Sequence, residues 1–184
     1  MYDFAYQKPS SLADAVKALS ADPDAKALAG GMTLIPVLKQ RLNKPTLVVD
    51  LAKLGLVGVS VSGNTVTISG MTTHGAVAAD AGLKGKIPSL SELASHIGDE
   101  AVRHRGTIGG SLANNDPAAD YPAAALALGA TIKTDRRSIT ADDFFHAIAV
   151  AAFGDDDAFE RASAFERFAN RVNASEPIHC AELN

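Results

Sequence analysis

Two glycine-rich stretches constrain this chain more than any other feature: Ala29-Gly30-Gly31-Met32-Thr33-Leu34-Ile35-Pro36 and Thr107-Ile108-Gly109-Gly110-Ser111-Leu112-Ala113-Asn114. Each sets a Gly-Gly pair ahead of hydroxyl and apolar residues. Glycines carry no Cβ and permit φ > 0, so main-chain N–H groups in such a turn can close on a ligand. Successive N–H groups form a concave nest for anionic oxygens, phosphate above all. One pair alone reads more readily as an ordinary tight turn. Two in a chain of 184 residues predict a ligand with two phosphates, gripped from both sides.

The sequence around the first pair predicts strand, glycine turn, helix. Ser11-Leu12-Ala13-Asp14 is a capping box ahead of an apolar-periodic run through Leu19. Ala25 to Ala29 reads as a buried strand, and Leu34, Ile35, Val37, Leu38 and Leu42 fall at helical spacing behind the loop. That order aims the unpaired N–H groups of a helix N-terminus at the loop. Pro36 suits a first turn. Residues 46–51 are β-rich, and residues 57–61 and 65–68 alternate around a hairpin signal at Ser62-Gly63-Asn64. Thr72 or Thr73 caps a helix through Ala79. Further helices are expected from about Ser89 to Ile97, with Gly98 as the C′ residue, and from Tyr121-Pro122 to Leu128. Short strands are expected at 130–133 and 138–139. No βαβ unit of ~30 residues repeats and no G-x-G-x-x-G occurs, which argues against a doubly wound dinucleotide fold. An α+β fold of two sheet-containing lobes, with the ligand between them, fits the pattern.

Composition excludes several classes. An apolar share of 47% with 21% charged residues describes a globular domain, not a disordered chain. The net charge of −4 argues against a nucleic-acid partner, and the clusters Arg103-His104-Arg105 and Lys133 to Arg137 are short enough to be solvated surface. Met1-Tyr2-Asp3-Phe4 has no basic leader character, and no run approaches the ~20 apolar residues of a membrane span. The expected location is cytoplasmic. The single cysteine, Cys180, leaves no intrachain disulfide and no cysteine-ligated iron–sulfur cluster carried by this chain alone. Five histidines are scattered without metal-ligand spacing, so no metal is expected. No residue is expected to act as a general acid or base. His74, His96 and His104 read as surface or satisfied polar residues.

Ala-Gly-Gly-x-(Ser/Thr)-Leu-x-Pro near residue 30, Val-Arg-x-Arg-Gly-Thr-Ile-Gly-Gly-Ser-Leu-Ala from Val102, and Asp116-Pro117-Ala118-Ala119-Asp120 together resemble one family. Phe4-x-Tyr6-x-x-Pro9 and Arg137-x-Ile139 with Phe144-Phe145 add to the likeness. The family is the FAD-binding medium subunit of molybdenum hydroxylases, the group of aerobic carbon monoxide dehydrogenase and xanthine dehydrogenase, and the resemblance covers residues 1–145. It implies a two-lobed FAD-binding domain: a small αβ lobe over 1–55, and a larger lobe with a mainly antiparallel sheet and flanking helices over 56–145. Both glycine stretches would clasp the FAD pyrophosphate through Ala29, Gly30, Gly31, Met32, Thr33 and Leu34, and through Thr107, Ile108, Gly109, Gly110 and Ser111. Asp120 would bind a ribityl or sugar hydroxyl. The implied partners are an iron–sulfur small subunit and a molybdenum-containing large subunit, with electrons passing through the flavin to NAD, a quinone or oxygen.

Several residues keep a second reading. Thr33 and Ser111 serve phosphate oxygens or cap helices. Asn114, Asn115 and Asp116 contact a ribityl chain or form a turn before Pro117, with turn preferred for Asp116. Arg103 and Arg105 lend charge to the pyrophosphate or pair with Asp99 and Glu100. After Phe145 the family continues into a further flavin-contacting strand and a C-terminal α/β domain, whereas residues 146–184 carry no family feature. There Phe159, Ala162, Phe165, Phe168 and Val172 form an apolar stripe at helical spacing behind Asp155–Asp157. A helical tail is expected, packed on the domain or serving self-association. Two further readings of the whole chain are a free-standing flavin reductase resembling UDP-N-acetylenolpyruvoylglucosamine reductase and a cofactor-free interaction module.

Overall fold

The computed structural model describes residues 1–116, 118–153 and 178–183. The first fifty residues build a parallel sheet in the order β1-β3-β2, from β1 (Ala5–Gln7), β2 (Lys26–Leu28) and β3 (Leu47–Asp50). Parallel neighbours need crossovers, and α1 (Leu12–Ala21) and α2 (Leu34–Lys39) supply them. The capping box is present: Ser11 Oγ accepts the Asp14 N–H at 3.1 Å and donates to the Asp14 carboxylate at 2.6 Å. β3, flanked on both sides, is buried throughout and packs with Ala15, Leu19, Ala25 and Leu51. β1 was not anticipated, because its three residues are all exposed and show no alternation.

A second sheet of five strands runs in the order β4-β5-β8-β6-β7, all antiparallel. The expected hairpins are β4 (Val59–Ser62) with β5 (Thr65–Ser69), turning at Gly63 with φ +59°, and β6 (Thr131–Thr134) with β7 (Ser138–Thr140). The central strand is β8 (Ile178–Leu183), which pairs Ile68 with Ala181 on one side and Ile132 with Ala181 on the other. The tail expected to be helical over 146–184 thus ends in a strand. Helix α9 (Ala141–Phe153) runs through the boundary expected at 145, and residues 178–183 form a strand inside the main sheet. The apolar stripe from Phe159 to Val172 lies outside the described residues.

Between the hairpins come α3 (His74–Ala79), α4 (Ala81–Lys86), α5 (Pro88–His96), α6 (Glu100–Arg105), α7 (Ile108–Asn114) and α8 (Asp120–Ala127). Their apolar faces join the sheet in one cluster that includes Val66, Ile68, Val77, Leu83, Leu90, Leu112, Tyr121, Ile132 and Phe144. α5 ends as expected, with Gly98 in the left-handed region at φ +54°. α4 and α6 are six residues each, too short to show a period. They are set by Asp80 and Asp99, whose carboxylates each accept a first-turn N–H at 2.8 Å.

Candidate functional site

A cavity of about 250 Å³ lies where the end of β2, the start of α2 and the start of α7 converge. Ala29, Gly30, Gly31, Met32, Thr33 and Leu34 all line it. The two glycines have separate duties. Gly31 turns the chain at φ +77°, a conformation that costs an L-residue roughly 1–2 kcal/mol. Gly30 lets two main chains touch: a Cβ on it would stand 2.0 Å from the Arg105 carbonyl oxygen. Among the described residues, the N–H groups of Gly31, Met32, Thr33 and Leu34 have no hydrogen-bond partner. The Thr33 hydroxyl makes no capping bond, so the capping alternative is not the one adopted there.

The second stretch differs from expectation. It is no open loop; it is the first turns of α7, with Thr107 as N-cap. Its N–H groups are committed: Ile108 donates to Thr72 O at 3.0 Å, Gly109 to Gly70 O at 2.9 Å, Gly110 to Thr107 Oγ1 at 3.1 Å, and Ser111 to Thr107 O at 3.0 Å. Glycine in a helix interior is disfavoured by about 1 kcal/mol relative to alanine, but here contact requires it. A Cβ on Gly109 would meet the Gly70 carbonyl oxygen at 2.6 Å. Thr107, Gly109, Gly110 and Ser111 line the cavity as a helical wall. Ser111 sits within the helix and so is not a cap, while Ile108 is buried in the core cluster and is not part of the wall.

Residues 70–74 back that wall, and their role was not read from the sequence beyond the capping threonines. Besides the bonds accepted by the Gly70 and Thr72 carbonyls, His74 N–H donates to Gly106 O at 2.9 Å and Thr73 bridges Thr107. Thr73 caps α3, as expected, through Ala76 N–H. Thr72 Oγ1 donates to Gly58 O at 3.0 Å and accepts Gly58 N–H at 2.9 Å. His74 is neither a surface residue nor a satisfied one. It is 5% exposed, lines the cavity, and has no partner for Nδ1 among the described residues. Burial pushes its pKa down to about 4, so the imidazole is neutral. Its ring packs against Tyr121 at 5.3 Å between centroids, and the Tyr121 hydroxyl is likewise buried without a partner. Burial, with the charge of Asp120 added, raises the Tyr121 pKa. A signal existed in Thr72-Thr73-His74 directly after a strand, but a lone histidine gives no indication of its surroundings.

Asp120 is exposed at the start of α8 and does not line the cavity; Asn114, Asp116 and Ala119 do. Asp116 Oδ1 accepts the Ala118 N–H at 2.9 Å, which is the turn geometry preferred for it. Arg103 pairs with neither Asp99 nor Glu100 among the described contacts; its Nη1 donates to the carbonyls of Ile97 at 3.2 Å and Gly98 at 2.8 Å. At the end of β3, beside the wall residue Leu51, Asp50 accepts the Tyr6 hydroxyl and pairs with Lys8 at 3.0 Å. Burial alone would raise the Asp50 pKa; the Tyr6 hydroxyl, the Ala52 N–H and Lys8 hold it below the usual range. Among the described residues, no lysine or arginine lines the cavity, so an anion there meets amides and hydroxyls. No described group of three or more His, Cys, Asp or Glu side chains is placed to hold a metal ion, and no described helix is long and apolar enough to cross a membrane.

Residues 2–159 match the family described as FAD binding domain in molybdopterin dehydrogenase. The chain belongs to that family. The nicotine 6-hydroxylase medium subunit of Paenarthrobacter nicotinovorans is 37% identical over 145 residues, which are 76% of this chain and 51% of that protein. The carbon monoxide dehydrogenase medium chain of Afipia carboxidovorans is 41% identical over 148 residues, 77% of this chain and 51% of that one. The chain thus spans about half the length of these relatives. Among solved structures, reconstituted CO dehydrogenase from Oligotropha carboxidovorans superposes with a TM-score of 0.78 at 33% identity, covering 99% of this chain and 59% of that chain. Quinoline 2-oxidoreductase from Pseudomonas putida 86 gives 0.79 at 31% identity, covering 99% of this chain and 59% of that one. FAD is the cofactor of this family, and the cavity suits its anionic middle. Four consecutive amides without partners among the described residues lie on a glycine turn, and α7 faces them where side chains are absent at Gly109 and Gly110.

Proposed function

We propose that this chain is the FAD-holding part of a medium subunit. In that role it relays electrons from iron–sulfur clusters on a small partner subunit, fed by a molybdenum centre on a large one, to an external acceptor. The observation that carries this reading is the row of uncommitted amides from Gly31 to Leu34 facing α7 across one cavity. These amides would receive the pyrophosphate, with the Thr33 and Ser111 hydroxyls as further donors. α7 would serve as the opposing wall, its own amides holding the wall together through residues 70–72. Asp120 lies outside the cavity but follows the wall residue Ala119 in the chain, and would take a ribityl or ribose hydroxyl. The two sheets, each with its own apolar cluster, support a reading as two lobes, one over 1–55 and a larger one from 56 that takes in α9 and β8 beyond the expected boundary at 145. Bound FAD supplies the electron chemistry, and the chain supplies binding, orientation and electrostatics.

Titrating the purified chain with FAD tests the reading, with flavin fluorescence quenching as the signal. Saturable one-to-one binding is expected, together with no steady oxidation of an aldehyde, a purine or carbon monoxide by the chain alone. Absence of binding at millimolar FAD would overturn the cofactor role. Substrate turnover by the isolated chain would overturn the relay role.

A further inference from the structure

The cavity wall holds one side chain that the amide cradle does not use. His74 is buried, lines the cavity and keeps Nδ1 without a partner. Its Nε2–Cδ2 edge lies against Gly106: a Cβ on that glycine would stand 2.5 Å from Nε2 and 2.7 Å from Cδ2. Gly106 lines the cavity too, so the absence of a side chain at 106 leaves that edge of the ring its room. A neutral imidazole has one N–H and one lone pair, on different nitrogens. Orphaned buried N–H groups are rarer than under-satisfied acceptors. The unpartnered Nδ1 therefore carries the lone pair, and the proton sits on Nε2. Tyr121, whose ring packs against the imidazole, brings a buried hydroxyl that is also without a partner among the described residues, a donor suited to an Nδ1 lone pair through one water.

We propose that His74 is a ligand-positioning residue whose Nε2–H, delivered at the Gly106 turn, donates to an oxygen in the pyrophosphate–ribityl segment of FAD. The inference rests on the cofactor reading above and adds a neutral side-chain donor to it. Its value there follows from the wall: with no lysine or arginine among the described residues that line the cavity, direction and not charge must orient the ligand. A neutral donor fixes one oxygen while leaving the net charge of the site unchanged.

Long-range proton–nitrogen NMR of the nitrogen-labelled chain, with and without FAD, tests this. The free protein should show a neutral His74 protonated on Nε2, and saturating FAD should move the Nε2 resonance while Nδ1 stays lone-paired. His74→Leu should weaken FAD binding roughly tenfold, as loss of a bond to a charged or strongly polar oxygen does. His74→Gln, which restores an N–H, should recover most of that loss. A proton on Nδ1 would overturn the proposal. So would an Nε2 resonance indifferent to bound FAD, or a folded His74→Leu chain binding FAD within twofold of wild type. If the wild-type chain binds no FAD at all, the underlying cofactor reading fails along with it; if FAD binds and Nε2 is silent, only the role of His74 falls.

Discussion

Gly30 and Gly109 are small because main chain touches main chain at each, against Arg105 O and Gly70 O, whereas Gly31 is glycine because the chain turns left-handed there. Substitutions should separate the two causes. Gly30→Ala places a Cβ 2.0 Å from a carbonyl oxygen with no flexible side chain to yield, and overpacking of that kind costs roughly 1–3 kcal/mol or more. It should lower the urea midpoint and abolish FAD binding. Gly31→Ala meets side chains, Ile35 at 2.6 Å and Leu28 at 3.1 Å, which can shift, so its cost is mainly the roughly 1–2 kcal/mol of the φ +77° conformation. His74 gives a pH dependence at the same scale. Its folded pKa of about 4 lies below the ordinary 6.5. Between those values the unfolded chain binds a proton that the fold refuses, so stability is complete above pH 6.5 and falls as pH drops towards 4. At about 1.4 kcal/mol per pH unit the loss approaches 3 kcal/mol. Among the described residues, Tyr121 packs on it, Asp120 acts on Tyr121 through its charge, and His104 lies beyond Gly75. Asp22 and Asp50, held below 3.8, lose their contributions only at lower pH. Urea unfolding at pH 7.5 and 4.5 should show the drop, and His74→Leu should remove most of it.

At the scale of elements, what was legible is what local chemistry determines. Ser11, Thr73 and Gly98 mark helix ends through their own side chains or lack of one, and the hairpin at Gly63 follows from alternation around a glycine. α7 was misread because a Gly-Gly pair is locally a turn signal. It is a helix only because Thr107 caps it and the 70–72 segment ties down its first amides, which is information from forty residues away. β8 was missed for a similar reason: its partners Val66 to Ser69 and Thr131 to Thr134 are distant in sequence, and nothing in Ile178–Leu183 states that a slot is waiting. The central position makes a prediction. Proline cannot donate to a ladder, and a helix or central strand loses about 3 kcal/mol or more to it. Ala181→Pro, between Ile68 and Ile132, should unfold the five-stranded sheet. Ser60→Pro in the edge strand β4 should be far milder. Comparable thermal midpoints for the two variants would show that β8 does not hold the sheet together.

For the molecule as a whole, the site was readable as far as its backbone: ten of the twelve residues proposed for the cofactor line one cavity, and Ile108 and Asp120 do not. The wall contributed by Gly70, Met71 and His74 came from folding, since it is assembled by pairing across the molecule. The size of the cavity bears on affinity. At about 250 Å³ it is smaller than the ~300–1,000 Å³ of sites that enclose a drug-sized ligand, and FAD is larger than most of those. On the proposed reading these residues would hold the middle of the cofactor, with much of the flavin ring outside the cavity. Apolar burial is worth about 25 cal/mol per Å², so ~100 Å² of ring face left in water forfeits roughly 2.5 kcal/mol, nearly two decades in affinity. A protein of these 184 residues is expected to purify largely without flavin and to bind added FAD with a Kd in the micromolar range or weaker, on that rough arithmetic. ADP, which carries the pyrophosphate but no flavin, should bind within about tenfold of FAD, because the cavity engages mainly what the two share. Equilibrium dialysis of both ligands settles it: stoichiometric flavin retained through gel filtration at nanomolar protein, or FAD bound a thousandfold more tightly than ADP, would mean that the ring has a covered seat among these residues after all.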